Sequence, residues 1–564
     1  MFYAAVAGHK EVGPHESSES ARRRAGAPVD RTRIRGGRRP GPCRTRRQES
    51  RVVSRRRARH HRHCLDRIGA VNSAKHETTE TQAVRVEQAV AREATFGSLP
   101  LLKAERVWRA GDFSWVTISL AIATWAFLTG GSTVLLVGFT DGIAAMLIGN
   151  SLGLAIMALG SVMLSQRLGV EQYRALKSVF GIVGVGIVVF TVVLLVEMGW
   201  TSLLGVMFGR AFTEISNQAF GAGLDTFGPL VTVFALAAIF VGWIVLSRGP
   251  VTISKLNRFV APGLIVIVTA MMVLLMSQHS WSDLLAAPPM APFENEQLNF
   301  MMAVEFNLGA GLSWWPVMGS LSRLTRGPRA ALWPAYGGII LGTVAAQIVG
   351  MAAALMIGEA DPTAWMVPLG GPILGVLTLL FVGFANVTSM ASIAYSTVLA
   401  VKQSSGEVLT RVRWPLLCAG FLVLPAILSF FPGFMYEKFM TFVVISGAFI
   451  AALCGVIIAD YFIVRRQRIS LRALYASGAD DPMRFTGGVN VAAMAAVVIA
   501  SAFYLWIYNP ITLETQAIFA YATATIPTVV IAMVAHVVLT NVLYVRRGRG
   551  AYRDIDTFAA AGRK

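Results

Sequence analysis

From Phe113 onward, long apolar stretches alternate with short polar ones. Twelve stretches of about 20 residues recur, at about 114–140, 142–164, 180–208, 226–247, 257–277, 299–322, 331–358, 370–401, 414–431, 438–464, 488–509 and 517–545. Each is long enough to cross the hydrocarbon core of a bilayer as a helix. The pattern predicts an all-α polytopic membrane protein with a twelve-helix domain over 113–545. A cytoplasmic segment (71–112) precedes it and a basic cytoplasmic tail (546–564) follows.

Composition agrees. The chain is 55% hydrophobic and 14% charged, with mean hydropathy +0.58, too apolar to give a soluble protein of this size a polar shell. The net charge of +19 sits mostly in residues 1–70, where 19 Lys and Arg face six Asp and Glu. That basic arm has no apolar periodicity and reads as disordered. It lacks the aromatic interleaving of a nucleic-acid reader and the apolar core of a signal peptide. Its simplest reading is translated upstream sequence, with the functional start near Val71 or later. The four cysteines, Cys43, Cys64, Cys418 and Cys454, suggest neither a disulfide framework nor a zinc site.

The loops then divide by charge. Arg167, Arg174 and Lys177 follow span 2; Arg248, Lys255 and Arg258 follow span 4; Arg323, Arg326 and Arg329 follow span 6; Lys402, Arg411 and Arg413 follow span 8. "RRQRISLR" follows span 10 and "VRRGRGAYR" closes span 12. The other loops hold little beyond Arg210 and Lys438, and several are acidic. The positive-inside rule places the basic loops and both termini in the cytoplasm of a plasma (inner) membrane.

An enzyme is not indicated. Beyond residue 76 the only histidines are His279 and His536, and no HExxH, GxSxG or phosphate-cradling loop occurs. A secondary transporter fits best, with a channel or a substrate sensor on the same scaffold as the alternative of another class. Two spans carry helix breakers five spans apart: Gly130 and Gly131 in span 1, and Gly309, Gly311 and Pro316 in span 6. That separation matches a five-plus-five inverted repeat with broken helices around a midplane site. Unwound backbone at this depth lines a cavity or is buried in protein.

"TGGSTVLLVGFTDGIAAMLIGN" (129–150), "VEMGWTSLLGV" (196–206) and "GAFIAALCGVIIADYFIVRRQR" (447–468) resemble the nucleobase–cation symporter family, the purine–cytosine permeases, with order and spacing kept over about residues 94–545. The resemblance implies a leucine-transporter-like fold, a 5+5 inverted repeat plus two C-terminal helices. It also implies sodium- or proton-coupled uptake of purines, pyrimidines, hydantoins, allantoin or related vitamins. By the same resemblance Trp200 stacks on the substrate ring, and Glu197 stands where the family has glutamine. An ionised carboxylate only accepts hydrogen bonds, so Glu197 favours a substrate with N–H donors or a positive charge. Ser313, Trp314 and Trp315 fall at the family's second aromatic and polar contacts. Asn386 is the one amide in "FANVTSMASIAY", with Met390 where a family asparagine is expected. Thr388 and Ser389, with the carbonyls of Ala123 and Ala126, match the family's sodium site. No cofactor is implied beyond a coupling ion, Na+ ahead of H+, and the partners are a small heterocycle and the bilayer. Asp460 with Arg465 and Arg466 reads as an interfacial anchor. An amino-acid or amine symporter of the same fold stays open, with Glu197 receiving an ammonium group.

Overall fold

A computed structural model describes residues 99–405, 408–409, 411–478 and 481–552. The basic arm, most of the segment 71–112 and the last twelve residues lie outside them. The described residues are helical, with three isolated β-bridges.

Among the described residues, eight helices are long and apolar enough to cross a membrane: α3 (Phe139–Leu168), α5 (Ile182–Phe220), α6 (Pro229–Arg248), α7 (Pro250–Gln278), α10 (Pro328–Ile357), α11 (Pro362–Ser404), α13 (Phe439–Val464) and α15 (Thr525–Val545). A ninth span is the pair α1 (Ala110–Ala121) and α2 (Thr124–Thr133), bent by 55° at its break. The other expected spans are an interrupted pair, α8 (Glu296–Leu312) and α9 (Trp315–Ser322), and two shorter apolar helices, α12 (Trp414–Leu428) and α14 (Val491–Ile507). This is consistent with twelve. A short helix, α4 (Gln172–Phe180), lies between spans 2 and 3.

The helix starts follow local chemistry. Pro229, Pro250, Pro328 and Pro362 occupy first turns, where no amide hydrogen is missed. Glu171 caps α4 by accepting from Tyr173 N and Arg174 N, and Asn490 caps α14. Within α11, Gly371 at φ 69° separates a short outer helix from the spanning one.

Packing repeats with the halves exchanged: span 1 lies against span 7, and span 6 against span 2. Both contacts are backbone-close. A Cβ on Gly130 would stand 2.1 Å from the Gln347 carbonyl oxygen, and one on Gly153 2.4 Å from that of Leu308. Small residues permit this approach where lipid supplies no hydrophobic drive.

Gly130 and Gly131 are therefore not the breaker in span 1. They sit inside α2 as packing residues, and the helix opens at Ile122–Ala123, where Ala123 is extended (φ −133°, ψ 175°). Likewise Gly309 and Gly311 lie inside α8; span 6 is interrupted at Ser313–Trp314, just before Pro316 in the first turn of α9.

Polar groups in the bundle find one another. Asn150, Asn307 and Gln347, on spans 2, 6 and 7, join through their amides, and Asn307 and Gln347 donate to Thr133 and Thr129 of α2 at 3.0 and 2.9 Å. Glu305 accepts from Tyr504 Oη (2.6 Å), Thr525 Oγ1 (2.7 Å) and the amides of Ala524 and Thr525, tying span 6 to the last two helices.

The proposed interfacial anchor is buried instead. Asp460 accepts from Arg465 Nε (2.8 Å) and Tyr552 Oη (2.9 Å) and meets His536 Nε2 at 3.1 Å. Arg465 also donates to the carbonyls of Ser178, Gly550 and Ala551 and lies over the Tyr552 ring. Inside the protein, the hydrogen-bonding groups of this pair meet each other, backbone carbonyls and Tyr552; Arg466 is exposed.

Candidate functional site

The two broken spans meet spans 3 and 8 around a narrow cavity of about 30 Å³. Helical spacing explains its lining. Glu197, Trp200 and Leu204 share one face of α5, Ser389 and Ile393 one face of α11, and Ala310, Ser313, Trp314 and Val317 one stripe across the interruption in span 6. Trp125, the second residue of α2, closes the ring.

The indoles set its shape. Trp125 packs edge-on against Trp200 (centroids 6.0 Å apart, 78°) and against Trp314 (5.6 Å, 65°). Phe439 and Phe442 of α13 pack edge-on behind Trp200. The volume falls far below the roughly 300–1,000 Å³ of ordinary ligand pockets. The tryptophans have closed on one another, and a stacked ring would have to part them.

Of the residues expected at the substrate, Glu197, Trp200, Ser313 and Trp314 line this cavity. Trp315 points elsewhere: its Nε1 donates to the Gly160 carbonyl at 3.1 Å, inside a π-helical turn of α3 (Ala158–Val162), and its ring packs edge-on against Tyr173. Asn386 serves the break in span 1, accepting from Thr124 N (3.3 Å) and donating to Thr124 Oγ1 (2.9 Å). Trp125 was missed, although it lies beside the glycine pair that drew attention. Its signal was a large aromatic next to a discontinuity.

The expected ion ligands surround the same break. Ser389 Oγ lies 3.5 Å from the Leu120 carbonyl, which also accepts from Trp125 Nε1 at 3.3 Å. Thr388 Oγ1 donates to Ala385 O one turn back. The Ala123 carbonyl accepts from Ala126 N at 3.0 Å, and the Ala126 carbonyl accepts from Thr129 Oγ1 at 2.8 Å. Neutral oxygens at an opened helix suit a monovalent hard cation, so this donor set fits sodium. Among the described residues no cluster of His, Cys, Asp and Glu could hold a metal ion.

Toward the basic loops, Gln172 Nε2 and Tyr173 Oη of α4 donate to the carbonyls of Trp315 and Pro316 (2.9 and 3.0 Å), and Glu171 accepts from Ser320 Oγ. Toward the acidic loops, Arg210 pairs with Asp361, Tyr436 Oη donates to Asp361, and the guanidinium lies 3.9 Å from the Phe227 centroid.

Comparisons with known proteins come to the same fold. Residues 100–526 match a family described as permease for cytosine/purines, uracil, thiamine, allantoin. An uncharacterized permease of Schizosaccharomyces pombe is 36% identical over 52 residues, a match spanning 9% of each chain. Mhp1, a nucleobase-cation-symport-1 family transporter solved closed with bromovinylhydantoin bound, is 19% identical with TM-score 0.63, over 79% of this chain and 96% of that one. Its inward-facing form gives TM-score 0.67 at 17% identity, over 82% and 97%. A Na+-coupled sialic acid symporter is 10% identical with TM-score 0.52, over 79% and 92%.

Proposed function

The chain belongs to the family of permeases for cytosine/purines, uracil, thiamine and allantoin, and we propose that it imports a flat nitrogen heterocycle, a nucleobase, hydantoin, allantoin or related vitamin, driven by an ion gradient. The family members are transporters, not enzymes. The observation that carries the substrate reading is the three-indole cavity where the broken spans meet. Aromatic walls at unwound helix ends suit a planar ring. In this reading Trp200, Trp314 and Trp125 hold the ring's faces and edges, and Glu197 and Ser313 meet its polar rim. Trp315 and Asn386 brace the two breaks.

The coupling ion in this reading is sodium, held by Thr388, Ser389 and the carbonyls of Ala123 and Ala126. The charge asymmetry of the loops supports a plasma-membrane importer with cytoplasmic termini. Uptake of labelled heterocycles into proteoliposomes tests both points: concentrative uptake that collapses when choline replaces sodium at fixed pH supports the reading, and undiminished uptake removes sodium. An amine symporter is the second reading, favoured by the unpartnered carboxylate of Glu197.

A further inference from the structure

Five carboxylates are buried among the described residues: Glu171, Glu197, Glu305, Asp460 and Asp481. Four have their oxygens met. Glu171 accepts from Ser320 and two amides, Glu305 from Tyr504, Thr525 and two amides, and Asp460 from Arg465 and Tyr552. Asp481 pairs with Lys177 at 2.7 Å. Glu197 differs. It is 1% exposed, and neither oxygen has a hydrogen-bond partner.

A buried carboxylate without a partner is costly unless something supplies the missing charge or donors. No lysine, arginine or histidine lines the cavity that Glu197 faces. None of the described residues that line the cavity supplies the missing partner. The rest of the wall narrows what it is: three indoles line the same cavity as Glu197, and indole is the aromatic that best attracts a cation. A carboxylate inside an aromatic box recognises a positive charge spread over a flat, N–H-bearing group. A small hydrated ion has no use for three rings, and the neutral oxygens at the span 1 break offer it a better site.

Resting on the heterocycle-transport reading above, we propose that the substrate is a planar organic cation, with Glu197 as its counter-charge and Trp125, Trp200 and Trp314 as the cage. Glu197 is then a specificity-determining residue: it selects the charged member from pairs of rings of equal size. The neutral members of the family's substrate range, uracil and allantoin, would offer the carboxylate N–H donors but no counter-charge, and bind worse.

The test uses the full chain in lipid nanodiscs, titrated calorimetrically with thiamine and 4-aminopyridine as cations and with uracil, allantoin and aniline as neutral rings. Aniline matches 4-aminopyridine in size and lacks its charge at neutral pH. Cations are expected to bind more tightly than neutral rings. Glu197→Gln should weaken them by about 10- to 100-fold and leave neutral rings unchanged or tighter. Glu197→Asp, which keeps the charge, should retain part of the cation preference; a merely structural glutamate would make the two variants alike. Binding of neutral rings without cations overturns the proposal and leaves the heterocycle reading intact. Failure of every ring to bind overturns both. If Glu197→Gln spares cation binding but abolishes the pH dependence of uptake, the carboxylate carries a proton and the proposal is wrong.

Discussion

Asn386 grips Thr124 at both ends of its own amide, accepting from the backbone N–H at 3.3 Å and donating to the hydroxyl at 2.9 Å. The contact caps the first turn of α2 from a span 262 residues away. A helix that starts in mid-membrane has no water for its free amides. Replacing Asn386 with leucine strands that amide, and should lower stability by about 1–3 kcal/mol. Because Thr388 and Ser389 follow two and three residues later, the half-saturating sodium concentration should rise as well. Thermal unfolding and sodium titration of uptake measure the two effects.

Trp200→Ala and Trp125→Ala should each weaken every planar ligand, charged or neutral, by roughly 1–3 kcal/mol, the worth of one stacking surface. Trp315→Phe should leave ligand affinity near wild type, because that ring packs outside the cavity, and lower the melting temperature through the lost bond to Gly160. Calorimetry and thermal melts on the same three variants separate the roles. Equal affinity losses in all three would remove the distinction between cavity and brace.

Ser389→Ala should raise the sodium requirement without changing ligand affinity at saturating sodium. A variant whose sodium dependence matched wild type would place the ion elsewhere.

Gly130→Ala drives a methyl into the Gln347 carbonyl, a backbone atom that cannot turn aside. Overpacking of this kind costs typically about 1–3 kcal/mol. Gly420→Ala, in an open stretch of α12 with nothing within 4 Å, should be neutral or stabilise the helix slightly. Paired melting curves of the two variants check the comparison; equal melting temperatures would mean that the α2–α10 contact is slack.

Span positions were legible because apolar length and loop charge are properties of composition, read one segment at a time. The four cavity residues on spans 3 and 6 were legible through the family resemblance. The break points were not. Gly130 and Gly309 look like helix breakers in isolation, yet a glycine in a membrane helix equally marks a close neighbour, and only the partner helix tells which. The true openings, at Ile122–Ala123 and Ser313–Trp314, contain no glycine; Asn386 bonds the residue after the first, and Gln172 the residue after the second. Asp460 and Arg465 misled for a related reason: a charged pair near a span end looks interfacial until the tail that covers it, Gly550 to Tyr552, is in place.

That tail makes one more prediction. Arg465 joins the carbonyls of Gly550 and Ala551 to that of Ser178, at the end of α4, and the start of α4 holds the carbonyls of Trp315 and Pro316. Deleting residues 549–564 should loosen α4 and speed hydrogen exchange at Trp314–Val317. A deletion whose exchange matches the full chain there would show that α4 holds without the tail.

The amide network of Asn150, Asn307 and Gln347 has a different consequence, for how this sequence can change over generations. Each side chain bonds to the other two, so losing any one breaks two of the three bonds that join helices from both repeats. Intermediates along any one-at-a-time route are therefore less fit than either end. The three positions are free to drift only as a set, and relatives that have lost one amide should have replaced all three with apolar residues of matching volume.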